Sequence, residues 1–464
     1  MSDFTYFDCV LTISDEDNIS IECIIDGKTK VTDGNLSSDK FAYLTVERLN
    51  HWVNYALRMQ DKGVTEKLYD LQDLKVIGLN LYSILFADDK IRTWFHDAYD
   101  YFDLHYHQEK VRNQEEDRHI RMRLKLIFHK PAENLGRLPW EFLFIPADKS
   151  DIERGFFFSG QKTELILTRF VQPPNLLQKQ EMEKFLEQFE AKQEDLRILI
   201  AVSRAEVGLG KIDEKETDAL VKEIQDRVRA NLTVLKDPSY NDLREHIDTI
   251  VKPHILHFIG HGKPGGLAIF KDPQDPDYDV DEGGKQIRWI TSQQFRNLFN
   301  NVKPRLVFLH ACKGAAPDSH EGFNSTAREL VYAEISAVVA MQYSISNLDA
   351  GKFARKFYQE IGNGRDIDEA VKAGRMELGE TFPPWEHPRF GTPVVYLLTE
   401  KPIVLSVPEE PELKDKTKTI QTSDTQSAVS GQVASDRLVV GDSRAGLSDR
   451  TASAPAGADT DSGN

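Results

Sequence analysis

Apolar and polar residues recur along this chain with two different periods, and the changes of period mark its elements. Residues 4–13 and 19–25 alternate as half-buried strands do, and the polar run Ser14-Asp15-Glu16-Asp17-Asn18 between them predicts a hairpin turn. At 73–85 and 91–106 the apolar residues fall three and four apart, which predicts two amphipathic helices. Strand periodicity returns at 120–126, where Ile120, Met122, Leu124 and Leu126 alternate with Arg and Lys, and again at 165–171. Between those strands stand Leu138-Pro139-Trp140-Glu141 and a run of three phenylalanines after Gly155. Pro173-Pro174 breaks the pattern, and a charged helix is expected over 178–193.

Beyond residue 195 the pattern becomes regular. Short apolar runs at 196–202, 232–235, 255–259, 306–309, 338–341 and 394–398 are separated by helical periods at 214–230, 240–250, 291–299, 325–333, 349–361 and 367–378. Continuous apolar runs belong to strands buried on both faces, and their alternation with helices predicts an α/β fold: a mainly parallel six-stranded sheet with helices on both faces. The expected organisation is a first α/β unit over 1–175, a linking helix over 176–194, a second unit over 195–405 and a tail over 406–464. No aromatic residue follows Tyr396, and Ser, Thr, Asp, Ala and Gly dominate 408–464. Such a segment cannot offset the roughly 1–2 kcal/mol of backbone entropy lost per ordered residue, so the tail is expected to be disordered.

Composition narrows the function. The 464 residues carry a formal net charge of −17, and the pI is about 5.3. Nucleic-acid affinity rests on clustered Lys and Arg, so direct nucleic-acid binding is not expected. No apolar run approaches the ~20 residues that span a bilayer, and Met1-Ser2-Asp3-Phe4 lacks the layout of a signal peptide. The expectation is a cytoplasmic protein without membrane contact. The three cysteines, Cys9, Cys23 and Cys312, are an odd number that argues against a disulfide framework. Cys9 and Cys23 lie in strand-like apolar surroundings and are expected to be inert core residues.

Two of the apolar runs end in chemistry. His257-Phe258-Ile259-Gly260-His261-Gly262 and Leu309-His310-Ala311-Cys312-Lys313-Gly314 put His261 and Cys312 beyond the carboxyl ends of two strands, where ligands gather in parallel sheets. A thiol works as its thiolate, which a neighbouring imidazole can generate, and backbone amides can hold the oxyanion that attack on a carbonyl creates. The expected roles are His261 as general base and acid, Cys312 as nucleophile, and the amides of Gly262 and Cys312 as oxyanion hole. Gly262 and Gly314 carry no Cβ and let a scissile carbonyl approach the backbone. Lys313, Gly314, Asp318, Glu321 and Asp349 are the candidate lining of a substrate pocket, and its three acids point to a basic residue before the cut.

Other chemistries fit less well. His254 and His257 differ by an odd number and face opposite sides of a strand, which disfavours zinc, and His310 reads as a packed neighbour. The turn 203–212 lacks both the first glycine and the Ser or Thr of a phosphate loop. The acidic run Asp275, Asp277, Asp279, Asp281 departs from a calcium loop, with Gly283 displaced by one and Arg288 where a Glu belongs. Weak calcium binding there stays open, and no cofactor is expected to be required. No Gly-x-Ser-x-Gly elbow offers a serine nucleophile.

In order and spacing these segments resemble the CHAT-domain cysteine peptidases, prokaryotic relatives of caspases, separases and gingipains in clan CD. The resemblance spans about 4–398. It rests on the His257–Gly262 and Leu309–Ala315 boxes, then Ala337-Val338-Val339-Ala340-Met341-Gln342, residues 350–357 and 370–375, Phe390-Gly391-Thr392-Pro393-Val394-Val395-Tyr396 and, in front, Leu138-Pro139-Trp140-Glu141. It implies a caspase-like sheet with the His after the third strand and the Cys after the fourth, preceded by a degenerate caspase-like half in which Trp140 is structural. It also implies cleavage of a protein substrate in bacterial antiviral defence or programmed cell death, for example activation of a gasdermin-like pore former, under a separate sensor or activator protein. Many members place Ser or Thr and then Gly where Lys313-Gly314-Ala315 stands here. Arg437, Arg444 and Arg450 in the tail are candidate self-cleavage sites. The alternative reading is a catalytically silent CHAT-fold scaffold that signals by binding.

Overall fold

The computed structural model describes residues 5–61, 70–113, 120–148, 151–171, 196–205, 212, 214–228, 230–263, 265–279, 286–311, 324–343, 345–380 and 387–398. The expected linking helix and the tail, with Arg437, Arg444 and Arg450, lie outside these residues.

The first half opens with β1 (Thr5–Ile13) and β2 (Asn18–Ile25), the expected hairpin, extended by β3 (Lys28–Asn35) as an antiparallel edge. Three helices follow: α1 (Lys40–Asp61), α2 (Leu71–Leu85) and α3 (Asp89–Asn113). The start of α2 is fixed by a reciprocal cap, in which the Asp70 carboxylate accepts from Asp73 N at 3.0 Å and that of Asp73 from Asp70 N at 2.9 Å. Then come β4 (Ile120–Phe128), the hairpin of β5 (Phe144–Asp148) and β6 (Asp151–Phe157), and β7 (Leu165–Val171).

The second half supplies β8 (Leu196–Val202), α4 (Glu214–Arg227), β9 (Ala230–Lys236), α5 (Tyr240–Glu245) and β10 (Ile255–Gly260). A small antiparallel sheet of β11 (Gly262–Lys263), β12 (Gly266–Phe270) and β13 (Ile287–Thr291) branches off next. After α6 (Ser292–Asn297) come β14 (Leu306–Ala311), α7 (Asn324–Tyr332), β15 (Ala337–Met341), α8 (Asn347–Gly362), α9 (Ile367–Gly379) and β16 (Pro393–Leu397). Gly364, at φ +76°, makes the turn between α8 and α9.

All six expected strands of this half form, in the order β9-β8-β10-β14-β15-β16. The first five are mutually parallel and β16 is antiparallel. On β10 the side chains alternate between two cores: Ile255 and Ile259 join one, with α8, while Leu256 and Phe258 join the other, with α6 and α7. Burial on both faces is why these strands read as unbroken apolar runs. The sheet does not stop at β16. Tyr396 and Leu397 pair in parallel with Arg169 and Phe170 of β7, so one sheet of eleven strands runs through both halves.

Candidate active site

β10 and β14 run parallel in a register that pairs His257 with Phe308, Ile259 with His310 and Gly260 with Ala311. His261 is the next residue on β10's side. It is fully buried and turns directly into the β11–β12 hairpin, where its carbonyl accepts Ala268 N at 3.0 Å. That bond makes Gly262 and Leu267 a non-hydrogen-bonded pair and leaves the Gly262 N–H outside the hairpin ladder. Cys312, which follows Ala311, lies outside the described residues, as do Lys313, Gly314, Asp318 and Glu321.

Asp349 is buried near the start of α8 and already engaged. Its carboxylate accepts the Ser346 hydroxyl at 2.9 Å and meets Arg389 Nε at 3.0 Å, while Ser346 Oγ caps the helix by accepting Asp349 N. Of the acidic run, Asp275 accepts Arg288 Nη1 at 3.0 Å, Asp277 meets Lys271 Nζ at 3.1 Å, and Asp279 bonds through its backbone to Gln286. Asp281 lies outside the described residues. Among the described residues no group of three or more His, Cys, Asp or Glu side chains is placed to hold a metal ion.

Behind His261, on the α8 face, His257 and His310 meet through Nε2 and Nδ1 at 3.2 Å. Burial and the neighbouring His310 push the His257 imidazole well below its ordinary value, and burial pushes His310 down to about 4. Both rings are therefore neutral near pH 7. His310 is packed, as its position two residues before Cys312 implies, but it is also hydrogen-bonded, which periodicity does not reveal.

The structure brings forward one residue that pattern reading passes over. In Leu138-Pro139-Trp140-Glu141, Trp140 is structural as expected: it is fully buried, stacks on Phe128 and donates Nε1 to Leu135 O at 2.8 Å. Glu141 is also fully buried. Its carboxylate takes a two-pronged contact from Arg169, a bond from Gln342 Nε2 at 2.9 Å and a longer one from Arg375 at 3.4 Å. Gln342 directly follows β15, so this first-half acid reaches the strand end one place over from β14. An acid inside the apolar run Leu-Pro-Trp-Glu-Phe-Leu is the signal that marks it.

Two crystal structures of the Saccharomyces cerevisiae separase–securin complex are similar to this chain. At 3.0 Å resolution the TM-score is 0.47 with 13% identity, covering 85% of this chain and 30% of that chain. At 2.6 Å resolution it is 0.40 with 12% identity, covering 84% and 30%. The chain thus spans less than a third of the length of those chains. No curated protein matches the sequence. Among the described residues no helix is long and apolar enough to cross a membrane. The CHAT domain matches residues 81–390, more than half of the chain, and the protein belongs to the CHAT domain family.

Proposed function

We propose that the protein is a cysteine endopeptidase with a His261–Cys312 dyad. The observation that supports this reading is the register: Gly260, which precedes His261, is paired with Ala311, which precedes Cys312 in the sequence, and ligands gather beyond the carboxyl ends of parallel strands. In this reading Cys312 Sγ attacks the scissile carbonyl carbon as His261 takes the thiol proton. The oxyanion is held by the N–H groups of Gly262 and Cys312, and the Gly262 N–H left outside the hairpin ladder is consistent with that role. His261 then hands its proton to the departing amine. Water, deprotonated by His261, hydrolyses the thioester and frees Cys312. General-base help of this kind is worth about 10²–10⁴ in rate and one oxyanion donor about 10²–10³. No metal or cofactor is needed for any step.

The substrate in this proposal is a protein, of which a gasdermin-like pore former is one example, cut in the cytoplasm during antiviral defence or programmed cell death under a separate sensor or activator protein. Family membership supports the peptidase class; the biological setting rests on the resemblance alone. The test is peptide-library cleavage by the full chain. Cys312→Ala and His261→Ala are each expected to abolish cleavage, with Cys312→Ala changing folding stability by no more than about 1 kcal/mol. Cleavage retained by Cys312→Ala overturns the assignment and leaves the fold as a scaffold.

A further inference from the structure

An open cleft of about 460 Å³ lies where two short turns between β4 and β5 meet the start of α6, the α7 helix and the tip of the β11–β12 hairpin. Its lining carries three guanidinium groups, Arg137, Arg296 and Arg328, and two carboxylates, Glu133 and Glu329. Polar ties hold the walls in place: Ser292 N donates to Gly265 O at 2.8 Å, and the hydroxyls of Ser292 and Thr326 meet at 2.7 Å. Both halves of the chain therefore frame the cleft, and one wall belongs to the hairpin that follows His261 directly.

The charges of the lining do not balance. Glu133 Oε1 lies 3.6 Å from Arg137 Nη2 and 3.9 Å from Arg328 Nε, so one carboxylate oxygen stands between two cations and within hydrogen-bond distance of neither nitrogen. Glu329 meets Arg296 Nη1 at 3.4 Å. Three cations against two carboxylates leave one positive charge over. That charge is most costly at Arg328, whose side chain is only 8% exposed and whose Nε and Nη1 are buried without a hydrogen-bond partner among the described residues. A guanidinium taken out of water needs an acceptor close by, and a half-exposed glutamate at 3.9 Å supplies little. Arg137 and Arg296 are exposed, so both can turn toward a ligand.

We propose that this cleft is a binding site for one oxyanion group, a phosphate or a carboxylate, held between Arg296 and Arg328 on one side and Arg137 on the other. Guanidinium groups match both oxyanions with paired N–H donors, and such charge-assisted bonds are about twice as strong as neutral ones. A bound anion supplies the countercharge that Arg328 lacks and bridges the first half to α6 and α7. The site stands on its own lining and does not depend on the reading of Cys312.

The experiment is isothermal titration of the full chain at low ionic strength with two probes, inorganic phosphate and glutarate. Saturable binding of one anion per chain is expected, and the tighter probe identifies the source as phosphoryl or carboxylate. Arg328→Gln is expected to weaken that probe about tenfold and Arg296→Gln about fivefold, each losing one charge-assisted contact. Glu329→Gln removes a competing carboxylate from an exposed position and is expected to tighten the probe about threefold, a gain that misfolding cannot imitate. Arg244→Gln, exposed on α5 and outside the cleft, controls for general surface charge and is expected to change nothing. Absence of saturable binding for both probes overturns the proposal. So does an unchanged affinity in both Arg296→Gln and Glu329→Gln, or a loss in Arg244→Gln equal to that in Arg296→Gln. If Arg328→Gln fails to fold, Arg296→Gln and Glu329→Gln decide the matter alone.

Discussion

His310 couples stability to acidity, because its environment holds it neutral where an unfolded chain would let it charge. Its folded-state value of about 4 lies below the ordinary 6.5, so the unfolded chain binds the extra proton between those values and folding is favoured as pH rises. The contribution is fully present above pH 6.5 and is lost as pH falls from there toward 4. At pH 5 this single group is expected to have removed about 2 kcal/mol relative to pH 7. His257, depressed by burial and by His310, acts in the same direction. Urea unfolding at pH 7 and pH 5 checks it: the drop in wild type should exceed the drop in His310→Gln by about 2 kcal/mol. Equal drops would mean that His310 charges freely in the folded protein.

At the scale of elements, Glu141 shows how the halves are held and what pattern reading can reach. Its carboxylate is the acidic partner of two buried guanidinium groups, Arg169 on β7 and Arg375 on α9. Glu141→Gln preserves the shape but leaves both cations uncompensated, and is expected to cost about 3–5 kcal/mol in chemical denaturation. The six strands of the second half are legible because each is buried on both faces and bounded by turns. α1 is less so: Ala42, Val46, Val53 and Ala56 are buried at helical spacing, but Phe41, Leu44, Trp52 and Tyr55 are exposed and blur the stripe. β3 is an edge strand with no fully buried residue, and β11 is two residues long. The span 240–250 reads as one helix, whereas α5 ends at Glu245 and a wider π turn, His246–Ile250, completes it. His261 and its glycine were marked by local sequence. The His257–His310 bond was not, because it depends on a register between strands 51 residues apart along the chain, which periodicity does not fix.

For the whole molecule the question is whether the half that carries His261 can stand alone. β16 lies between β15 and β7, so removing the first half exposes its edge as an unpaired ladder. The same cut takes Glu141 and the Leu167 carbonyl away from the buried Arg375, and strips Arg123 from Asp366 and Asp368, which it meets at 2.7 and 2.8 Å. Lys372, buried on α9, would lose the Gly160 carbonyl that it meets at 2.7 Å. Each of these groups would exchange its partner for water, and Tyr343 and Phe390, which pack into the first half's core against Phe142 and Phe157, would be exposed, a loss to be set against the roughly 5–15 kcal/mol that keeps a domain folded. Residues 195–405 expressed alone are therefore expected to aggregate or to melt without cooperativity. Co-expression with residues 1–175 should restore a cooperative transition, since the lost contacts lie between the two pieces. Calorimetry decides between this and an independent second half, for which 195–405 alone would show a sharp transition close to that of the full chain.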